Sequence, residues 1–86
     1  RKMNKYILVV LDRRNRTVEE LVENSHAASA AYYAYPAYAD SYAAYAAYAA
    51  AAAYADEEVE CHLNEYFDIT GKSREEYEKA IKESEK

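Results

Sequence analysis

The hydrophobic positions near the start of the chain form one continuous run. Residues 6–11 read YILVVL, an apolar stretch of strand length that contains β-branched residues. A single strand cannot satisfy its own backbone hydrogen bonds. We therefore expect this segment to be either a lone strand that pairs with another chain or a short buried helix.

A long helix is predicted to begin at Thr17. Thr17 and Glu20 match a capping box, in which each side chain accepts a hydrogen bond from the other residue's backbone N–H. No Gly occurs before Gly71, and the intervening sequence is rich in Ala, the residue with the highest helix propensity. The sequence therefore predicts one acidic, Ala/Tyr-rich helix over residues 17–70.

Pro36 interrupts this helical pattern. A proline inside a helix removes one backbone hydrogen bond at a cost of about 3 kcal/mol, and it disfavours helical geometry in the preceding Tyr35. No cluster of Gly, Asn or Ser flanks Pro36 to form a tight reversal. We therefore expect the helix to be kinked or broken near Pro36, and the surrounding residues favour a kink over a hairpin.

The C-terminal region carries a second set of helix signals. Gly71 is a typical residue just beyond a helix end, and Ser73 and Glu76 match another capping box. A short helix is predicted over residues 73–84. The fold class is therefore all-α, in a single small helical domain over residues 1–86 that opens with a basic segment over residues 1–16.

The charged residues are unevenly distributed. Residues 1–16 hold six basic residues and one acid, whereas residues 17–71 hold ten acids and no Lys or Arg. Nucleic-acid binding needs cations along the contact surface, so no direct binding of nucleic acid is expected. The layout favours contact between copies or with a basic partner.

Two further features of the sequence bear on where in the cell the protein is found. Cys61 is the single cysteine, so no intrachain disulfide can form, which indicates a cytoplasmic protein. The Ala/Tyr tract is long enough to span a bilayer, but Pro36, Asp40 and its tyrosine hydroxyls make it a poor membrane segment. No membrane association is expected.

The tyrosines of the Ala/Tyr tract have helical spacing. Four of them form one stripe along a helix: Tyr35, Tyr38, Tyr42 and Tyr45. Tyr48 lies toward the edge of this stripe, and Asp40 lies on the opposite side of the helix. One interpretation is that these rings interleave as the core of a homo-oligomer. The other is that some rings stay exposed as a recognition surface, because Tyr gives a large contact area at a low entropy cost.

A phosphate-bearing ligand could also stack on the rings, provided that cations came from elsewhere. Candidate anion contacts are Arg13, Arg14 and Arg16 of a neighbouring copy. This arrangement would make an oligomeric sponge for a nucleotide-like small molecule.

Few residues suggest a catalytic or metal-binding role. A chain with one Gly cannot form a Gly-rich phosphate loop, and the neighbouring Cys61 and His62 would point about 100° apart on a helix. Glu58, His62 and Glu65 share a helical face and form a weak candidate metal site, although a solvated acidic face explains them better. We expect no enzymatic activity, no cofactor and no metal.

The chain resembles a known group of proteins in composition and layout. The segments MNKYILVVLD, TVEELVEN with AASAAYYAY, and NEYFDITGKSREEYEKAI resemble the small Ala/Tyr/Asp-rich accessory proteins of tailed bacteriophages. The resemblance implies a phage protein in the host cytoplasm that blocks or sequesters a host component. The expected function is a self-associating, non-enzymatic interaction protein that binds or inhibits a host protein; the alternatives are the small-molecule sponge and a structural helical scaffold.

Overall fold

Five α-helices and one short 3-10 turn make up the part of the chain, residues 3–84, that the computed structural model describes. The helices are α1 (Lys5–Leu11), α2 (Val18–Ala34), α3 (Tyr38–Ala51), α4 (Asp56–Thr70) and α5 (Arg74–Ser84), and the 3-10 turn (Arg13–Asn15) lies between α1 and α2. Residues 3–84 contain no strand, so the all-α prediction is confirmed. Arg1 and Lys2 of the predicted basic segment lie outside the described residues. None of the described helices combines the length and apolar character that crossing a membrane requires.

The apolar run at residues 6–11 is helical, and the strand alternative is wrong. The Asn4 side chain caps α1 by accepting hydrogen bonds from the backbone N–H groups of Tyr6 and Ile7, at 2.9 and 3.1 Å. Ile7 and Val10 are fully buried. A helix forms backbone hydrogen bonds within its own segment, and the Asn4 cap satisfies two of the N–H groups that remain, whereas a lone strand has no such partners.

The predicted helix over residues 17–70 is three helices, and its first break is a reversal. α2 ends at Ala34, and Tyr35 has φ −138° and ψ 81°, outside the helical region, as expected before a proline. Ser29 shares one groove with Tyr45, and Val22 shares another with Ala51, so α2 and α3 run antiparallel. The predicted break near Pro36 is therefore confirmed, whereas the kink that the sequence favoured over a hairpin is wrong. Three non-helical residues suffice to turn the chain, and packing of two Ala-rich helices offsets the cost of the break.

The second break, at residues 52–55, has no counterpart in the prediction. Ala53 takes a left-handed conformation with φ 59°. The backbone N–H of Tyr54 donates to the Ala49 carbonyl at 3.1 Å, and that of Ala53 donates to the Ala50 carbonyl at 3.3 Å. This is the hydrogen-bond pattern of a Schellman motif, which normally has Gly at the left-handed position. Because Ala occupies that position here, no glycine marks the end of α3 in the sequence.

The core is built around the alanine side of α3. This helix contacts α1, α2 and α4, and its fully buried alanines are Ala43, Ala46, Ala47 and Ala49. The other helices contribute Ile7 and Val10, Val59 and Leu63, Tyr66 and Phe67, and Tyr77. Small side chains let helices approach closely. The largest fully buried side chains, Tyr66 and Tyr77, lie outside the Ala/Tyr tract.

The predicted C-terminal helix and both capping residues are present. The Thr17 and Glu20 capping box is complete, and the Ser73 hydroxyl accepts a hydrogen bond from the Glu76 N–H at 3.3 Å. Gly71, with φ 69°, ends α4 by donating its N–H to the Phe67 carbonyl at 2.9 Å. These local signals position α5 where the sequence predicted it.

Candidate binding surface

Most of the predicted tyrosine stripe lies on the outer side of α3. Tyr38 and Tyr45 are exposed, and Tyr42 lies half-buried between them. The rings of Tyr38 and Tyr42 meet edge to face with centroids 5.2 Å apart, and those of Tyr42 and Tyr45 are 6.2 Å apart. Tyr35 is exposed but lies in the turn before α3. The helical stripe therefore begins at Tyr38.

A groove separates the outer sides of α2 and α3. It has a volume of about 350 Å³ and is lined by Ser29, Tyr32 and Tyr33 from α2 and by Ser41, Ala44, Tyr45 and Tyr48 from α3. We call it the tyrosine groove. A second depression of about 320 Å³ adjoins it, sharing Ser29 and Tyr48 and extending past His26 and Val22. The sequence did not place Tyr32 and Tyr33 here, because their position depends on the reversal at Pro36.

Acidic residues of α4 border the outer side of α3. The Tyr45 ring lies 6.3 Å from the His62 imidazole, whose Nδ1 is 3.1 Å from Glu65 Oε1. The Tyr38 hydroxyl, 2.7 Å from the Tyr42 hydroxyl, raises the pKa of Tyr42 above its ordinary value, and the charge of Glu65 raises that pKa further. The surface is thus aromatic with an acidic border.

The weak metal candidate is only partly assembled. His62 and Glu65 lie together, but Glu58 does not complete a set with them, and no group of three or more His, Cys, Asp or Glu side chains within residues 3–84 could hold a metal ion. Glu58 instead lies near Tyr54, where its charge adds to the larger effect of Tyr48 in raising the pKa of Tyr54. The three residues therefore fit an acidic surface better than a metal site.

The candidate anion-binding arginines contact carboxylates of their own chain. Arg13 binds both Asp56 and Glu60, the latter at 3.0 Å, and its guanidinium lowers the pKa of the Asp56 carboxyl. Arg16 binds Asp12 at 2.9 Å, whereas the exposed Arg14 lies 3.7 Å from Asp56. None of these three arginines lines the tyrosine groove.

Arg74 completes a cluster of charges that joins three parts of the fold. Its guanidinium contacts Glu60 at 2.8 Å and Glu78 at 3.0 Å. Arg13 reaches the same Glu60 from the segment after α1, so the cluster connects that segment with α4 and α5. By helical spacing, Asp56 and Glu60 project from the side of α4 opposite His62 and Glu65. The arginines therefore stabilise the fold on the side away from the tyrosines.

Fold and surface together define a small all-α protein with an outward-facing, acid-bordered tyrosine groove. Comparison with known proteins found no matching family model, curated protein or solved structure. The groove offers aromatic faces and hydroxyl groups but has no Lys or Arg among its lining residues. Such a surface can bind through apolar contact, hydrogen bonding and attraction of cations.

Proposed function

We propose that this protein is a non-enzymatic interaction protein that binds a partner protein through the tyrosine surface of α2 and α3. The supporting observation is the exposure of large rings on a body whose core is built without them. Tyr33 is 77% exposed, and Tyr45 and Tyr48 are each 56% exposed. Clusters of exposed aromatic side chains are typical of protein-binding surfaces, where Tyr is enriched.

The resemblance to phage accessory proteins extends this proposal to a bacterial host protein as the partner. In that setting the protein acts in the host cytoplasm as a counter-defence or other accessory factor that binds or inhibits its target. The acid-rich region over residues 17–71 supports a partner with a basic contact surface.

A protein partner is better supported than the nucleotide-like ligand of the sponge hypothesis. The lining of the tyrosine groove contains no cation, and Arg13 and Arg16 are held by carboxylates of their own chain. Binding of a phosphate by Arg13 or Arg16 of a neighbouring copy would have to break these ion pairs, which leaves the exposed Arg14 as the most accessible of the three candidate contacts. These ion pairs and the cation-free groove therefore favour a protein partner over a phosphate-bearing small molecule.

Capture from a bacterial host lysate tests the proposed function. The triple variant Tyr33→Ala, Tyr45→Ala, Tyr48→Ala should lose proteins that the wild type retains. Its control, Val18→Ala with Ile69→Ala, also removes exposed apolar side chains, but from positions outside the tyrosine groove. Circular dichroism should show both variants folded. Retention of the same proteins by the triple variant would refute the proposal.

Self-association of the protein is proposed in addition to partner binding, and it can be tested separately. Part of the exposed stripe could interleave with a second copy. Sedimentation velocity at micromolar concentration should then detect an oligomer that dissociates in the variant Tyr38→Ala, Tyr42→Ala, Tyr45→Ala, with helix content retained because Ala favours helices. A wild-type protein that stays monomeric throughout would contradict self-association and leave partner binding unaffected.

A further inference from the structure

The tyrosine groove has aromatic walls on both sides. Tyr32 and Tyr33 approach from α2, with ring centroids 5.8 Å apart, and Tyr45 and Tyr48 approach from α3. Its volume of about 350 Å³ is at the lower end of the range of small-ligand sites. The groove is therefore suited to one long side chain of a partner, flanked by shallower contacts.

The polar atoms in the groove suit a ligand that donates hydrogen bonds. The Ser41 hydroxyl donates its hydrogen to the Tyr38 carbonyl at 2.7 Å, which leaves the lone pairs of the Ser41 oxygen able to accept. Ser29 adds a second hydroxyl. Tyrosine faces attract cations because the face of the ring carries negative potential. Acceptors and ring faces together favour a cationic donor.

The charges around the groove also favour a cationic ligand. Glu19 and Glu23 lie within one to two turns of His26, on the α2 side of the depression that continues the groove. Across the surface, Glu58 lies near Tyr54, whose ring is 5.9 Å from that of Tyr48.

No cation of the neighbouring sequence offsets these carboxylates. Residues 17–71 contain no Lys or Arg, and every arginine within residues 3–84 has a carboxylate of its own chain within 4.0 Å. The electrostatic field at the groove therefore attracts a cation and repels a phosphate.

We infer that the tyrosine groove binds an arginine side chain presented by a basic segment of the partner. A guanidinium is planar, carries five N–H donors and is more weakly hydrated than an ammonium group, so it stacks on tyrosine rings better than lysine does. This inference rests on the proposed function, because it names the chemistry of the partner segment that occupies the surface.

Three peptides that differ at one position test the inference on the full chain. Each has the same Gly/Ser flanks, and the central residue is arginine, lysine or citrulline, the last being a neutral analogue of arginine. Calorimetric titration should show the arginine peptide binding about tenfold more tightly than the citrulline peptide, with lysine between them. Added salt should weaken binding of the arginine peptide.

Variants of one groove residue and one neighbour locate the site. Tyr48→Ala should weaken binding of the arginine peptide about tenfold, whereas Tyr48→Phe should keep most of the affinity because the aromatic face remains. Tyr35→Ala is the control, since Tyr35 is 81% exposed but does not line the groove. It should bind the peptide as the wild type does.

Three results would overturn the inference: equal affinity for the arginine and citrulline peptides, no binding of any peptide at millimolar concentration, or unchanged affinity in Tyr48→Ala. The lysate experiment separates this failure from failure of the proposed function. If capture depends on the groove tyrosines but the arginine and citrulline peptides bind equally well, partner binding is supported and the assignment of an arginine ligand is refuted.

Discussion

The backbone N–H of Asn4 donates a hydrogen bond to the hydroxyl of Tyr77 at 2.8 Å. This contact ties the start of α1 to α5. The Tyr77 ring is buried and packs edge to face on Phe67 of α4, with centroids 5.1 Å apart. A single tyrosine thus connects the first, fourth and last helices, whereas the one ring of the Ala/Tyr tract that packs against the core, Tyr42, is only partly buried.

Removal of the Tyr77 hydroxyl should destabilise the fold. Tyr77→Phe keeps the ring but leaves the Asn4 N–H without its acceptor, at an expected cost of roughly 1 kcal/mol in the free energy of unfolding. Urea denaturation followed by circular dichroism measures this change. Tyr33→Phe, which removes the hydroxyl of an exposed ring, is the control and should alter stability by less than about 0.5 kcal/mol. Equal effects of the two substitutions would contradict the role given to Tyr77.

Stability should fall at alkaline pH, in part because of Tyr66. Burial raises the pKa of Tyr66, and its contact with the Tyr77 hydroxyl at 3.5 Å adds to that rise. In the folded state the Tyr66 hydroxyl therefore keeps its proton at a pH somewhat above about 10, where the tyrosine of an unfolded chain loses it. Unfolding then releases a proton, so the contribution of Tyr66 is present below pH of about 10 and is lost as the pH rises further. Tyr66→Phe should show a shallower fall in the free energy of unfolding above that pH, and a slope equal to that of the wild type would refute this assignment.

Two neighbouring positions on α3 should differ in how much a change of side-chain size costs. Ala46 is fully buried, so Ala46→Leu should overpack the core and cost about 1–3 kcal/mol. Tyr45→Ala removes a much larger side chain, but from the exposed side, and should cost less than about 1 kcal/mol. Thermal and urea denaturation measure both. A larger cost for Tyr45→Ala would mean that the tyrosine side of α3 is the packed side.

The turn after α3 should be stabilised by glycine. Ala53 has φ 59°, a conformation that costs an L-residue with a Cβ about 1 kcal/mol relative to glycine. Ala53→Gly should therefore raise the free energy of unfolding by roughly 0.5 kcal/mol, after allowance for the greater entropy of glycine in the unfolded chain. Ala30→Gly, at an exposed position inside α2, should instead lower it by about 1 kcal/mol. A loss of stability in both variants would contradict the left-handed turn.

Sequence signals identified those parts of the fold that depend on neighbouring residues. Thr17 with Glu20 predicted the start of α2, Gly71 predicted the end of α4, and Ser73 predicted the start of α5, because caps act within one turn. The end of α3 was missed because Ala53 occupies a position where glycine is the usual signal. The acids at residues 56–58 did mark the first turn of α4 and could have revealed the break.

The candidate surface was only half predictable for a different reason. Helical spacing placed Tyr38, Tyr42 and Tyr45 together, since that relation is local. The facing wall, Tyr32 and Tyr33, depends on the reversal at Pro36, and spacing within one helix contains no information about it. Spacing also could not decide which side of α3 is buried, because Ala and Tyr both tolerate either environment.

Fluorine NMR of the labelled tyrosines tests most directly whether the tyrosine groove is the binding site. The chain labelled with 3-fluorotyrosine has eleven fluorine signals, one for each tyrosine, which single Tyr→Phe variants assign. On titration with the arginine peptide, we expect the signals of Tyr33, Tyr45 and Tyr48 to shift together with one dissociation constant, while those of the buried Tyr66 and Tyr77 stay in place. Shifts that spare these three groove tyrosines, or that spread equally to Tyr66 and Tyr77, would contradict the account.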